Sequence, residues 1–286
     1  MNDVDRSLSF LPHLRSIEAF AELDEEPARY LAGGSQIRTV ARGQIICEKG
    51  SLSGGLQCLL AGRIKLSVIS ALGTERVLDI LLPGRAFGLA AVLLDEPCPV
   101  FAESISDCRL LVVGRERIQI AIAEWPQVGG MLLKLNAADV HRLIRDLEAC
   151  CLMTARQRLT DFLIKQGRCH STDDADDVTV VLPASKSLIA SSLNISPETF
   201  SRELHELASR GLAQIERRTI RIPSLDRLSQ FLHDESNATK VTPSRTAGQV
   251  DEASSRPVTG STVRYSHGIL CDSNEGDFRK RACPPS

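Results

Sequence analysis

Between Ser35 and Val113 short apolar stretches recur between glycine-bearing turns, and this rhythm limits the fold more than any other feature of the chain. Gln44-Ile45-Ile46-Cys47 is closed by Lys49-Gly50, Leu56-Gln57-Cys58-Leu59-Leu60 by Ala61-Gly62, and Ile64-Lys65-Leu66-Ser67-Val68 by Leu72-Gly73. Val77 to Leu82 comes next, closed by Pro83-Gly84, and Cys108 to Val113 ends the series. Many short strands at this spacing predict an antiparallel sandwich or barrel. Ahead of them Leu14, Ile17, Phe20, Leu23, Tyr30 and Leu31 recur at helical spacing, which predicts short amphipathic helices over residues 14–33.

The grammar changes after Trp125-Pro126. Proline suits the first turn of a helix, and no other proline interrupts the stretch from Gln127 to Cys151. Leu133, Val140 and Leu147 interleave there with Ala137, Ile144 and Cys151 as a heptad seam, and Leu132, Leu135 and Leu143 supply a second stripe. A helix packed only on its own domain is the simpler use of such residues. A straight helix with two stripes can also cover its own domain with one and meet a partner helix with the other, which predicts a homodimer. Thr154 to Gln166 reads as a further amphipathic helix with Leu159, Phe162 and Leu163, followed by an acidic loop, Asp173 to Asp177, and a strand, Val178 to Leu182.

From Pro183 to Ile222 the signals are local and strong. Ser185 suits the N-cap of a short helix, Lys186 to Leu193, with Ile189 and Leu193 inward and small Ala190 at the close contact. Asn194-Ile195 makes a tight turn, asparagine being the non-glycine residue that best tolerates a left-handed backbone. Ser196 caps the next helix, Pro197 takes its first position, and Phe200, Leu204, Leu207 and Ala208 carry it toward Gly211. Two helices joined by so short a turn make a helix-turn-helix, and Gln214 to Ile222 follows as a two-stranded wing. Glu198, Ser201, Arg202 and His205 share one polar face of the second helix. Taken alone, that face is an ordinary solvated one. With the cap, turn and wing around it, the helix presents its N-terminal end as a major-groove reader does, where Arg bonds guanine and Glu accepts from cytosine.

Composition narrows the partners. The net charge of -2 carries no global basic field, so contact with double-stranded DNA rests on local Arg and Lys. No apolar run reaches membrane-spanning length and the N-terminus, with Asp3 and Asp5, lacks the pattern of a signal peptide, so a cytoplasmic protein with no membrane partner is expected. Nine cysteines in so long a chain do not form a disulfide framework; Cys47, Cys58, Cys98 and Cys108 lie singly in strand-like segments and are expected to be reduced core thiols. Cys169-His170 beside Asp173 and Asp174 is more simply solvated turn chemistry than a metal site. No glycine-rich phosphate loop, ligand-spaced Cys/His set or nucleophile motif points to an enzyme.

Residues about 15–232 resemble a Crp/Fnr family regulator, most specifically in Ile195-Ser196-Pro197-Glu198-Thr199-Phe200-Ser201-Arg202, which is similar to the recognition helix of the Fnr and Dnr branches. The resemblance implies an α+β fold: a cyclic-nucleotide-binding-like β-roll with N-terminal helices over residues 1–125, a dimerisation helix over 126–152 and a winged helix-turn-helix over 153–236. The remainder, 237–286, has too few large apolar residues to offset its ordering entropy and is expected to be disordered. Carried over residue by residue, the resemblance makes Glu198, Ser201 and Arg202 readers of TTGAT-like half-sites and Ser185, Ser196 and Thr199 phosphate contacts. RNA polymerase is an implied partner.

It also sets expectations for the signal. Cyclic-nucleotide-binding members pair Gly-Glu with Arg-Ser or Arg-Thr around the phosphate; here Leu89 stands at the glutamate position and Asp95 to Phe101 offers no arginine, so cyclic AMP is not expected to bind. No cysteine precedes Cys47, which removes the N-terminal ligands of an Fnr-type iron-sulfur cluster. His141, or His13, is a haem-ligand candidate through the nitric-oxide-linked Dnr branch, although a lone helical histidine is more often a surface residue. Redox, oxygen or nitric oxide is the implied kind of signal. A sensor or adaptor whose winged helix binds protein instead of DNA is the competing class.

Overall fold

The structure is a computed structural model that describes residues 3–170 and 177–240. The chain begins with α1 (Asp3–Arg15), a 3-10 turn (Glu18–Phe20) and α2 (Glu25–Gly33). Eight strands follow: β1 (Ser35–Val40), β2 (Ile45–Cys47), β3 (Gly55–Ala61), β4 (Ile64–Ile69), β5 (Glu75–Leu81), β6 (Ala86–Phe87), β7 (Phe101–Ser104) and β8 (Cys108–Gly114). A short helix, α3 (Leu89–Leu94), sits between β6 and β7. The strands form two antiparallel four-stranded sheets, ordered β1-β8-β3-β6 and β2-β7-β4-β5.

Strand β8 shows why this sequence makes a sandwich with helices on one side. Side chains alternate between faces along a strand, and Cys108, Leu110 and Val112 enter the core between the sheets while Leu111 and Val113 enter a second core with Leu14, Ile17, Phe20 and Leu31. Both faces are covered from Leu110 to Val113, so that part of β8 reads as a continuous apolar run after the exposed Arg109. In the turn between β3 and β4, Gly62 has φ +93° and approaches so closely that a Cβ would lie 2.3 Å from the Asp107 carbonyl oxygen. Only glycine fits that turn.

Beyond β8 come α4 (Arg115–Glu124), α5 (Pro126–Leu152), α6 (Ala155–His170), β9 (Val178–Val181), α7 (Lys186–Ser192), α8 (Pro197–Ser209), β10 (Gln214–Glu216), β11 (Thr219–Ile222) and α9 (Leu225–Lys240). Strands β10, β11 and β9 form the third sheet. Leu159, Leu163, Val180, Ile189, Phe200, Leu204, Ile220 and Leu228 close a separate core around it. No helix among the described residues is long and apolar enough to cross a membrane.

Several expectations are corrected. Cys47 and Cys98, expected as separate reduced thiols, are joined in a disulfide, and Cys98 lies in the loop after α3 instead of a strand. Cys58 and Cys108 are free and buried, as expected of core thiols. Of the second stripe on α5, Leu132 is buried and Leu135 half-buried against the sensor core, but Leu143 is 53% exposed. The first helix starts well before Leu14, and α9 continues to Lys240, past the expected boundary at residue 236. Residues 173–176 of the expected acidic loop and the tail from residue 241 lie outside the described residues.

Candidate nucleic-acid interface

The helix-turn-helix is built by its caps. Ser185 Oγ accepts from the Leu188 amide at 3.3 Å and starts α7. Asn194 takes φ +54° and turns the chain. Ser196 Oγ accepts from the Thr199 amide at 3.1 Å and, with Pro197 at the first position, starts α8. Such side-chain caps satisfy N–H groups that the first turn leaves free. Glu198 lies at that same end, and hydrogen bonds from its own backbone N–H and from Ser196 hold its carboxyl below the usual range.

Helix α8 is sharply two-faced. Phe200, Leu204 and Leu207 are buried, while Glu198, Ser201, Arg202 and His205 are exposed along the opposite side. Ser185 and Ser196 are exposed at the helix starts and Thr199 is half-buried, its hydroxyl accepting from Ser196 Oγ at 3.1 Å. The six predicted contact residues therefore occupy α8 and the start of α7. Glu198, Ser201 and Arg202 lie outside the buried apolar stripe of α8.

Sequence reasoning missed the residue behind this face. Glu203 is 6% exposed, and its Oε2 accepts from Arg156 Nε of α6 at 2.7 Å while its Oε1 accepts from Arg202 Nη2 at 3.0 Å. Burial alone would raise its pKa, but the bonds from Arg156 and Arg202 outweigh that and hold the carboxyl below the ordinary range. Arg156 also bonds Glu235 Oε1 of α9 at 3.0 Å. The signal was present: residue 203 falls on the Phe200–Leu204–Leu207 stripe, and an acid at such a position needs a cation. Arg217, exposed at the wing tip with φ +53°, was also overlooked.

The sensor and the reading head touch. Val77 N–H of β5 donates to Ser191 Oγ of α7 at 3.1 Å, and Ile80 and Ile105 pack on the helix-turn-helix core. Arg158 of α6 donates to the carbonyls of Met153, at the end of α5, and Asn194, in the turn, at 3.2 and 3.1 Å.

Along α5, Val128 and Leu132 are buried on the sensor, whereas Leu133, Ala137, Val140, Ile144, Leu147 and Cys151 are all exposed on the single chain. Arg142 Nη1 reaches Asp79 at 3.1 Å and Arg85 reaches Asp139 at 3.7 Å, so polar pairs hold the middle of α5 to the sheets. A cleft of about 970 Å³ opens between the 17–24 turn, Gly84–Ala86 and α5, with Ile17, Leu23, Arg85, Met131, Leu135 and Arg142 in its walls.

Leu89, at the position that a cyclic-nucleotide glutamate would take, is 5% exposed and part of the apolar core. His141 is exposed on α5 and His13 half-buried on α1. Among the described residues no group of three or more His, Cys, Asp or Glu side chains is placed to hold a metal ion.

This geometry defines a β-rich N-terminal domain joined through a long helix to a winged helix-turn-helix. Family models for a cyclic nucleotide-binding domain and a Crp-like helix-turn-helix domain match residues 37–124 and 157–231. The chain belongs to the Crp/Fnr family of DNA-binding transcription regulators. It is 28% identical to the nitrogen fixation regulation protein FixK of Azorhizobium caulinodans, over 76% of this chain and 83% of that one. It is 23% identical to the CRP-like cAMP-activated global transcriptional regulator of Mycobacterium tuberculosis, over 72% and 92%. The solved structure of FixK2 from Bradyrhizobium japonicum shares the fold with a TM-score of 0.62 at 21% identity, covering 68% of this chain and 96% of that chain.

Proposed function

We propose that the chain acts as a homodimer joined through the α5 seam and reads TTGAT-like inverted repeats with Glu198, Ser201 and Arg202. Ser185, Ser196 and Thr199 anchor phosphates, and RNA polymerase is the partner at the promoter. The exposed polar face of α8, opposite a fully buried apolar one, carries this reading. Arg202 is 71% exposed and can leave Glu203, which keeps its Arg156 partner, to take a guanine.

The signal is of the redox, oxygen or nitric oxide kind and not cyclic AMP. A buried Leu89 gives a ribose or cyclic phosphate no hydrogen bond, and the 95–101 loop supplies no guanidinium. The similarity to a cAMP-activated regulator favours the opposite reading of the same domain. A haem would take His141 or His13 as ligand. Fluorescence anisotropy with a TTGAT inverted-repeat duplex and a scrambled duplex tests the core of the proposal. Specific binding at least about a thousandfold tighter than scrambled is expected of a sequence reader; equal affinities would favour a protein-binding winged helix.

A further inference from the structure

We infer that Cys47 and Cys98 form a reversible oxidation site through which the sensor domain reads thiol redox state. This rests on the proposed redox-type signal and assigns it to named atoms. The two cysteines are 51 residues apart in sequence and joined across the sensor: Cys47 ends β2 and Cys98 lies in the loop between α3 and β7. The turn 48–51 and this loop already meet through paired backbone bonds, Gly50 N–H to the Cys98 carbonyl and Cys98 N–H to the Ser51 carbonyl, each 2.8 Å. These backbone bonds tie the two segments together beside the bridge and do not depend on the sulfurs.

The other described cysteines differ. Cys58 is buried, and burial pushes its thiol up to about 12, so it yields almost no thiolate nucleophile. Cys108 is buried and its Sγ donates to the carbonyls of Ser106 and Arg63 at 3.1 and 3.3 Å. Cys150, Cys151 and Cys169 are exposed without a bonded partner sulfur. Cys47 is half-buried, with Ser51 Oγ 3.7 Å from its sulfur, so a small reagent can reach it while Cys98, 5% exposed, waits behind.

The step balances with a low-molecular-weight disulfide such as oxidised glutathione. The Cys47 thiolate, its proton passed to water, attacks one sulfur of the reagent and releases one thiol. The Cys98 thiolate then displaces the second, forming the protein bridge. Two protein thiols are oxidised and one reagent disulfide is reduced to two thiols.

A physical path leads from the bridge to α5. Asp95, which opens the Cys98 loop, pairs with Arg115, the first residue of α4. Arg115 Nη2 also donates to the carbonyls of Ser53 and Ala91 at 3.3 and 3.4 Å. Helix α4 meets α5 at Trp125-Pro126. Closing the bridge fixes the loop that holds Arg115 and so restrains the root of the dimer helix.

The test equilibrates the full chain in glutathione buffers from fully reduced to fully oxidised and traps thiols by alkylation. Linked peptides are mapped by mass spectrometry, and amide exchange of residues 95–100 and 115–125 is measured beside affinity for a TTGAT inverted-repeat duplex. We expect a Cys47–Cys98 peptide in the oxidised samples, slower exchange in both segments, and an affinity change of about tenfold, all removed by either Cys47→Ser or Cys98→Ala. Absence of the linked peptide, or its formation with exchange and affinity unchanged, overturns the inference. So does a redox response that survives in both variants, since it would belong to the other cysteines. If DNA is not bound in either state, the DNA proposal fails, and the exchange data still decide whether the bridge restrains α4.

Discussion

Ser191 Oγ receives the backbone N–H of Val77 at 3.1 Å, so the first helix of the reading head closes the outer edge of the sensor sheet. Strand β5 is the outermost strand of its sheet, and an uncovered edge would present free N–H groups for unwanted pairing. Ser191→Ala should cost this bond about 1 kcal/mol, which is about fivefold in the opening equilibrium. Hydrogen exchange at the Val77 amide should speed up by that factor, and Ile80→Asp should extend the effect along β5. Unchanged protection in both variants would mean that α7 does not dock there in solution.

Dimerisation should follow the exposed seam of α5. Val140 and Ile144 are 46% and 58% exposed on the single chain, and charges placed between two packed helices would be buried without partners. Val140→Glu combined with Ile144→Glu should give monomers by light scattering, with weakened DNA binding but an unchanged melting temperature for the sensor domain. A wild type that is monomeric at micromolar concentration would contradict the seam.

Glu203 gives a pH dependence with a definite sign. Its folded pKa lies below the ordinary value, so its contribution is fully present above the unfolded pKa and is lost as pH falls through the lowered folded value. Glu203→Gln should destabilise the reading head by about 1–3 kcal/mol at neutral pH. The gap to wild type should close as acid protonates the carboxylate. Urea unfolding at neutral and acidic pH reads this directly; a gap independent of pH would remove the ionic role.

Cyclic AMP and cyclic GMP should leave the protein unchanged in calorimetry, because Leu89 is in the apolar core. Micromolar binding of either nucleotide would place its phosphate on groups other than those of the usual cassette.

What the sequence disclosed depends on how local the physics is. The helix-turn-helix could be read residue by residue because Ser185, Asn194, Ser196 and Pro197 act on their own turns. Helix α4 escaped because Ile118, Ile120 and Ile122 alternate with period two; burial of Ile118 and Ala121 on one helical face overrode that pattern. Helix α3 is an apolar run of six residues, too short for periodicity to classify. Helix α9 was legible in principle, since Ser224 Oγ caps the Arg227 amide at 3.1 Å and Leu225, Leu228, Phe231 and Leu232 keep helical spacing. The Cys47–Cys98 pairing is long-range, and connectivity of that kind cannot be deduced from cysteine positions.

Reading and anchoring should separate within α8. Arg202→Ala should cost about 1–3 kcal/mol per half-site and relax preference at the guanine, whereas Thr199→Ala should weaken all sequences about equally. Affinities for a panel of single-base variants distinguish the two patterns. Equal losses across the panel for Arg202→Ala would make it a phosphate contact.

The most direct measurement is a binding selection from random duplex DNA, run on both the oxidised and the reduced protein so that an inactive state does not decide the outcome. The account predicts enrichment of a two-fold site with TTGAT-like half-sites about one helical turn apart, with the guanine position lost in Arg202→Ala. Enrichment of an unrelated motif by either form, or of no motif by both, would contradict the assignment of Glu198, Ser201 and Arg202 as base readers.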